Sequence, residues 1–210
     1  MEAAATIAFD PPRTPANRAP GLVGVLALQG GFAAHARALE RLGHPTILVR
    51  TREDLARCEG LVLPGGESTV QLKLIAREGL EAPLRAFVAG GKPVLATCAG
   101  LILSASRVLS PEQASFAFID VTVERNAWGR QTDSFEAVSD AGDLPVIAIR
   151  APRIVRVGPG VEVLATLRGE PILVRQRSVT GAIFHPELTD RLDVHAATFG
   201  HPGRAPSVSH

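Results

Sequence analysis

The chain has 210 residues, with 22 Lys and Arg against 21 Asp and Glu and a formal net charge of +1, which argues against a nucleic-acid surface. Hydrophobic residues make up 46% and aromatics only 4%, so the length fits one domain with a substantial aliphatic core. Cys58 and Cys98 make no disulfide framework, no apolar run is long enough to span a bilayer, and residues 1–20 lack the apolar stretch of a signal peptide; a reducing cytoplasm, with neither membrane nor nucleic acid as partner, is the expectation.

Residues 1–20, rich in Ala, Pro and Arg, read as a disordered extension, and 200–210 as a disordered tail around a domain spanning 21–199. Within it, Leu22 to Leu28 reads as a buried strand, Gln29-Gly30-Gly31 as a turn, and Phe32 to Leu42 as a helix stopped by Gly43. Thr46 to Val49 is a second strand. Thr51 with Asp54 forms a capping-box pattern opening a brief helix that ends near Cys58. Leu61 to Leu63 is a third strand running into Pro64-Gly65-Gly66-Glu67-Ser68, where Ser68 with Gln71 repeats the capping-box pattern. A helix from Leu80 to Ala89 closes at Gly90-Gly91, and Val94 to Thr97 is a fourth strand. The alternation predicts a parallel sheet with helices on both faces, whose chemistry collects at the carboxyl ends of the strands. Beyond Ser110 the pattern turns β-rich: Ile119 to Val123, Ser134 to Val138, Val146 to Ile149, Val161 to Leu167, Pro171 to Gln176 and Gly181 to Phe184 are expected to add antiparallel or mixed strands, before a helix from Leu192 to Phe199.

Cys98 sits where the fourth strand ends and apolar residues begin to recur at Leu101, Ile102, Ala105, Val108 and Leu109, which is helical spacing. Small neighbours, Ala96 and Gly100, permit the sharp turn of a nucleophile elbow. The positive end of a helix favours a thiolate, and the backbone N–H of Ala99 is placed to hold an oxyanion. Taken alone, this stretch fits a small buried hydrophobe about equally well. A nucleophilic thiol needs a base, and the base an orienter. His185-Pro186-Glu187 follows a predicted strand, and residues two apart on an extended segment point the same way. His-x-Glu alone is a common chance pair; a Cys elbow, a Gly-Gly turn and this segment all at strand ends are harder to explain by accident. Pro64 to Ser68 reads either as a tight turn before a helix or as a loop whose N–H groups face a reacting carbonyl. It lacks the Gly-Lys-Ser/Thr of a phosphate loop, and no G-x-G-x-x-G follows a strand. Cys58 reads as packing, and His44 and His195 lack a ligand-like cluster, so neither metal nor cofactor is expected.

The segments LALQGG, LVLPGGES, ATCAGLIL, VERNAWGRQTDSFEA, IRAP and FHPELTD resemble the glutaminase subunits of pyridoxal 5′-phosphate synthases, over about Gly21 to Phe199. The resemblance implies a class I glutamine amidotransferase fold, a flavodoxin-like three-layer α/β/α domain with a mostly parallel sheet and added antiparallel strands. It also implies a catalytic triad of Cys98, His185 and Glu187, an oxyanion site at Gly66 and Ala99, and L-glutamine contacts at Gly66, Glu67, Ser68, Arg125, Ile149 and Arg150. An Arg fork suits the α-carboxylate of glutamine, although without the resemblance Arg125 and Arg150 would read as surface ion pairs. Ammonia would pass to a partner, a (β/α)₈ barrel synthase subunit, docked near LALQGG and the helix after it. Ala96, Ala34 and Gly31 depart from residues usual in the family. Rival readings are a glutaminase for histidine or nucleotide synthesis, against which ERNAWGRQ argues, and an idle scaffold, against which the complete triad argues.

Overall fold

The computed structural model describes residues 21–125, 134–142 and 144–200. The proposed tails at 1–20 and 201–210, and Trp128 with the rest of the segment from 126 to 133, lie outside the described residues. Strands β1 (Val23–Leu26), β2 (Thr46–Val49), β3 (Gly60–Leu63), β4 (Val94–Thr97), β10 (Glu162–Leu167), β11 (Glu170–Gln176) and β12 (Val179–Ala182) form one sheet in the order β10-β11-β12-β4-β3-β1-β2. The pairs β1–β2, β1–β3, β3–β4 and β4–β12 are parallel, while β10–β11 and β11–β12 are antiparallel. The sequence runs outward from β1 to β2, then returns past β1 to β3. Right-handed crossovers then place α1 (Phe32–Leu42) on one face, and α2 (Arg52–Ala56), α3 (Ser68–Arg77), α4 (Glu81–Ala89) and α5 (Ala99–Ser104) on the other. The packing agrees: α1 meets α6 (Asp193–Phe199), whereas α2 meets α4 and α3 meets α5. The reversal between β1 and β3 is a topological switch point, where crevices open at strand carboxyl ends.

Two smaller sheets flank this core. Strands β5 (Ala105–Leu109), β6 (Ile119–Glu124) and β9 (Arg153–Val157) form one, and β7 (Ser134–Val138) with β8 (Pro145–Ile149) the other. Every residue of β1, β3, β4 and β12 is buried, which matches their mostly apolar sequences, with Thr97 and Thr180 the buried polar exceptions. Leu63, Leu95, Leu101 and Phe184 are among the largest fully buried side chains, each stabilising the fold by roughly 1.5–3 kcal/mol on transfer from water. Among the described residues no helix is long and apolar enough to cross a membrane.

Most boundaries follow local signals. The helix α1 ends at Gly43, which takes φ 88° and returns its N–H to Glu40, and Thr51 and Asp54 form the expected capping box. Four expectations are corrected. First, the helix after Cys98 ends at Ser104, whose hydroxyl bonds back to the Gly100 carbonyl at 2.8 Å and loosens the last turn; Ala105 to Leu109 then pairs with β6. Second, Ser68 caps nothing. Glu67 is the N-cap of α3, accepting from the Thr69 N–H at 3.1 Å, while Ser68 donates to Gln113 and the Gln71 amide turns back to Gln29 and Pro64. Third, β12 ends at Ala182, two residues before the expected end, and Ile183 and Phe184 leave the sheet fully buried. Fourth, Arg153–Val157 is a strand that its charged, mostly exposed pattern concealed. Gly200, placed by sequence at the start of the tail, closes α6 through its N–H to Ala196 and accepts from His44 Nε2 at 3.0 Å.

At Gly100 a Cβ would collide with the Leu63 carbonyl oxygen, so α5 lies against β3 only because this residue has no side chain. Gly100→Ala is expected to cost about 1–3 kcal/mol in urea unfolding, the scale of overpacking in a rigid core. An unchanged unfolding midpoint would show that the helix and strand separate freely.

Candidate active site

Four strands of the central sheet end at one place. Gln29–Gly31 follows β1, Pro64–Ser68 follows β3, Cys98 follows β4, and His185–Glu187 lies just beyond β12. Cys98 takes φ 48° and ψ −104°, a left-handed conformation costly for a residue with a side chain, and so forms the sharp elbow its small neighbours permit. Its N–H donates to the Ala182 carbonyl at 2.9 Å, tying the elbow to the strand that leads to His185. Cys98 is 6% exposed, and a Cβ at Gly65 would meet both its Cβ and the His185 ring, so the two side chains lie side by side. Glu187 Oε1 accepts from His185 Nδ1 at 2.8 Å. The two meet through a 3-10 turn, Pro186–Leu188, and not along an extended segment as expected; the turn folds the carboxylate back onto the ring. Burial opposes charge on His185, but hydrogen bonds to Cys98 and Glu187, and their negative charges, outweigh it and raise its pKa to about 10.

The loop after β3 closes over this pair. A Cβ at Gly65 would strike the His185 ring, so glycine is required for the approach. The Gly65 carbonyl accepts from the Gly31 N–H at 3.0 Å, and the Gln29 side chain accepts from the Glu67 N–H at 2.9 Å, which locks the loops after β1 and β3 together. Gly66, Glu67, Ser68, Cys98, Arg125, Ile149, Arg150 and His185 all line one cleft. Ala99 is buried and is not among the residues lining the cleft; it follows Cys98 as the first residue of α5, so its N–H lies outside the helix's own ladder. Glu187, 1% exposed at its side chain, sits behind the imidazole. Arg125 pairs with Glu67 at 3.2 Å. Burial raises the Glu67 pKa, but the Thr69 hydroxyl and N–H, with the charges of Arg125 and Arg150, bring it below the usual glutamate value. The Ile149 carbonyl lies 3.9 Å from the Cys98 sulfur, and Arg150 beside it takes φ 47°. The backbone N–H of His185 donates to the Ile147 carbonyl at 2.8 Å, so β8 is fastened to the segment that carries this imidazole.

Sequence reasoning missed several residues. Gln29 and Gln71 brace the loops, Gly31 and Ile102 line the cleft, and His35 and His195 form a buried pair behind Glu187. The signal for His35 was present, because it shares one face of α1 with Ala38, Leu39 and Leu42 at the spacing of a buried stripe. His195 is therefore no isolated side chain. Cys58 is fully buried, and burial pushes its thiol up to about 11. Among the described residues no cluster of three or more His, Cys, Asp or Glu is arranged to hold a metal ion.

Comparison with known proteins gives this arrangement a family. Residues 25–199 match the SNO glutamine amidotransferase family. A protein of Solibacter usitatus described as pyridoxal 5′-phosphate synthase subunit PdxT is 50% identical over 184 residues, covering 83% of this chain and 95% of the relative. The chain belongs to the SNO glutamine amidotransferase family. A second relative of the same description, from Geobacillus stearothermophilus, is 49% identical over 172 residues, covering 80% of this chain and 88% of its own. A crystal structure of a glutamine amidotransferase superposes with a TM-score of 0.79 at 44% identity, covering 87% of this chain and 99% of that one. A putative GMP synthase component from Thermoplasma acidophilum, 17% identical with a TM-score of 0.63 and coverage of 88% and 94%, shares the fold. The α/β architecture with a mostly parallel sheet is thus that of class I glutamine amidotransferases.

The raised His185 pKa links charge to stability in this SNO family member. Its contribution is complete below the ordinary histidine value of about 6.5, declines as pH rises, and is lost above about 10. Thermal unfolding of wild type and His185→Gln between pH 6 and pH 10.5 should show a difference that narrows as pH rises. A difference independent of pH would mean that the imidazole gains no charge stabilisation from Cys98 and Glu187.

Proposed function

We propose that this chain is a glutaminase subunit of a pyridoxal 5′-phosphate synthase, hydrolysing L-glutamine to glutamate and ammonia through a thioester on Cys98. The observation that carries the reading is the convergence of an elbow cysteine, a histidine beside it in the same cleft and a buried carboxylate 2.8 Å from that histidine, in a chain of this family. The relatives' description as synthase subunits supports the biosynthetic role.

Cys98 attacks the side-chain amide carbon of glutamine. His185 takes the thiol proton and delivers it to the departing ammonia, and Glu187 keeps the ring in the tautomer that bonds to Oε1. Water then hydrolyses the glutamyl thioester, with His185 as general base. The N–H groups of Gly66 and Ala99 hold the oxyanion. Arg125 and Arg150 face the cleft with Glu67 between their charges, which suits the α-carboxylate and α-ammonium of an amino acid. Ser68 and the Ile149 carbonyl complete the cradle. Ammonia passes to a synthase partner of (β/α)₈ barrel form, in a hetero-oligomer. Residues 21–199 serve as the amidotransferase domain, and the two free cysteines fit a reducing cytoplasm.

Glutamate release, assayed with the synthase partner present, is expected for wild type and to be absent for Cys98→Ala. Glu187→Gln should lower kcat by 10²-fold or more, since the ring loses the group that fixes its tautomer. Equal rates for wild type and Cys98→Ala would exclude the sulfur as nucleophile. Binding of the chain to a different synthase, and not to the barrel partner, would overturn the biosynthetic assignment.

A further inference from the structure

Behind the His185–Glu187 pair runs a row of buried polar side chains that the reaction as written leaves unused. Glu187 gives Oε1 to His185, while its Oε2 lies 3.2 Å from Nε2 of His35, a residue of α1 with no exposed surface. The same His35 nitrogen is 3.1 Å from the hydroxyl of Thr97, the neighbour of Cys98 in sequence. On the far side of the ring, His35 Nδ1 is 2.9 Å from Nε2 of His195 on α6, which is also fully buried. Four separate elements therefore contribute to one line of groups: His195, His35, Glu187, His185 and Cys98.

The tautomers along this line follow from what each nitrogen faces. Burial, then the charges of His195 and His185, hold the His35 pKa well below its ordinary value, and burial lowers His195 to about 4. Both rings are neutral at neutral pH, and each carries one N–H. Nδ1 of His195 is buried without a partner. If His35 donated from Nδ1, His195 would have to carry its own proton on that orphaned Nδ1, and His35 would turn a bare lone pair toward the carboxylate. His195 Nδ1 lacks a partner in either arrangement, so the deciding cost is the His35 lone pair turned against a buried carboxylate. In the reverse arrangement His195 Nε2–H donates to His35 Nδ1, and His35 Nε2–H faces Thr97 Oγ1 and Glu187 Oε2. The N–H is aimed at the hydroxyl, with Oε2 to one side at 3.2 Å, and Oε2 completes no hydrogen bond among the described residues, so His35 Nε2–H is the donor within reach of it.

We propose that His35 is a positioning residue for the Glu187 carboxylate: its Nε2–H faces Oε2 and stops the carboxylate rotating away from His185, while His195 fixes the His35 tautomer. His35 does not line the cleft, so it acts on turnover and not on glutamine binding. The inference rests on reading Cys98, His185 and Glu187 as the triad.

Two measurements on the full-length chain test it. In ¹⁵N NMR at neutral pH, His35 and His195 should both be neutral with the proton on Nε2; a His35 protonated on Nδ1 would overturn the proposal whether or not the protein is active. In glutamate release with the synthase partner bound, His35→Leu should lower kcat roughly 10-fold or more with the KM for glutamine within about twofold. His35→Gln, whose amide nitrogen reaches the place of Nε2, should recover most of that loss. An unchanged kcat in a folded His35→Leu protein, or His35→Gln no better than His35→Leu, would overturn it. If His35→Leu does not fold, the tautomers and the His35→Gln rate relative to wild type decide. Absence of glutamate release from wild type would instead count against the triad reading, leaving the NMR result to judge the His35 assignment.

Discussion

The hydrogen bond between His185 Nδ1 and Glu187 Oε1 is the contact around which this site is built. Glu187 has a side chain only 1% exposed, and a carboxylate so far from water is tolerated only when its oxygens face donors. Three elements remote in sequence bring an imidazole to each oxygen, and Oε1 alone completes a hydrogen bond among the described residues. The 3-10 turn of Pro186–Leu188 brings His185 onto one oxygen, and α1, with α6 behind it, brings His35 alongside the other. In return the carboxylate holds the imidazole beside Cys98, and together with that sulfur it raises the pKa of the ring to about 10. The charge balance of the cleft therefore depends on packing at its rear as much as on the residues that line it.

Close approach is the second constraint. The four strand ends meet because the residues on them are small or strained where they touch. Gly65 lies against the His185 ring, Gly100 against the Leu63 carbonyl, and Cys98 adopts a left-handed conformation, with its N–H pinned to β12. Strain of this sort persists only when neighbours over-determine it. Here the neighbours are the fully buried strands β3, β4 and β12, whose parallel pairing leaves the elbow no slack. The aliphatic core thus acts on the chemistry by fixing where the sulfur points.

The first half of the molecule was legible because its signals are local. Gly43 stops α1, Thr51 and Asp54 cap α2, and the run from Val94 to Thr97 is too short and too apolar to be anything but an inner strand. Cys98, His185 and Glu187 were legible as motifs at strand ends, and the loop of Gly66 to Ser68 as their cover. What escaped depended on contacts between distant segments. Ala105 to Leu109 kept helical spacing yet became a strand, because a partner strand was available at Ile119 to Glu124. Ser68 carried the capping pattern, but Gln113, 45 positions away, took its hydroxyl. His35 and His195 lie 160 positions apart, and no short motif joins them; only the packing of α1 against α6 does.

If His185 makes Cys98 nucleophilic, alkylation of the thiol reports it. With limiting iodoacetamide at pH 7 and mass-spectrometric readout, Cys98 should be modified well ahead of the buried Cys58, whose thiol is pushed up to about 11. The Cys98 rate should fall sharply in His185→Gln. A Cys98 that reacts no faster than Cys58, or at the same rate with and without the imidazole, would contradict the pairing on which the proposed reaction depends.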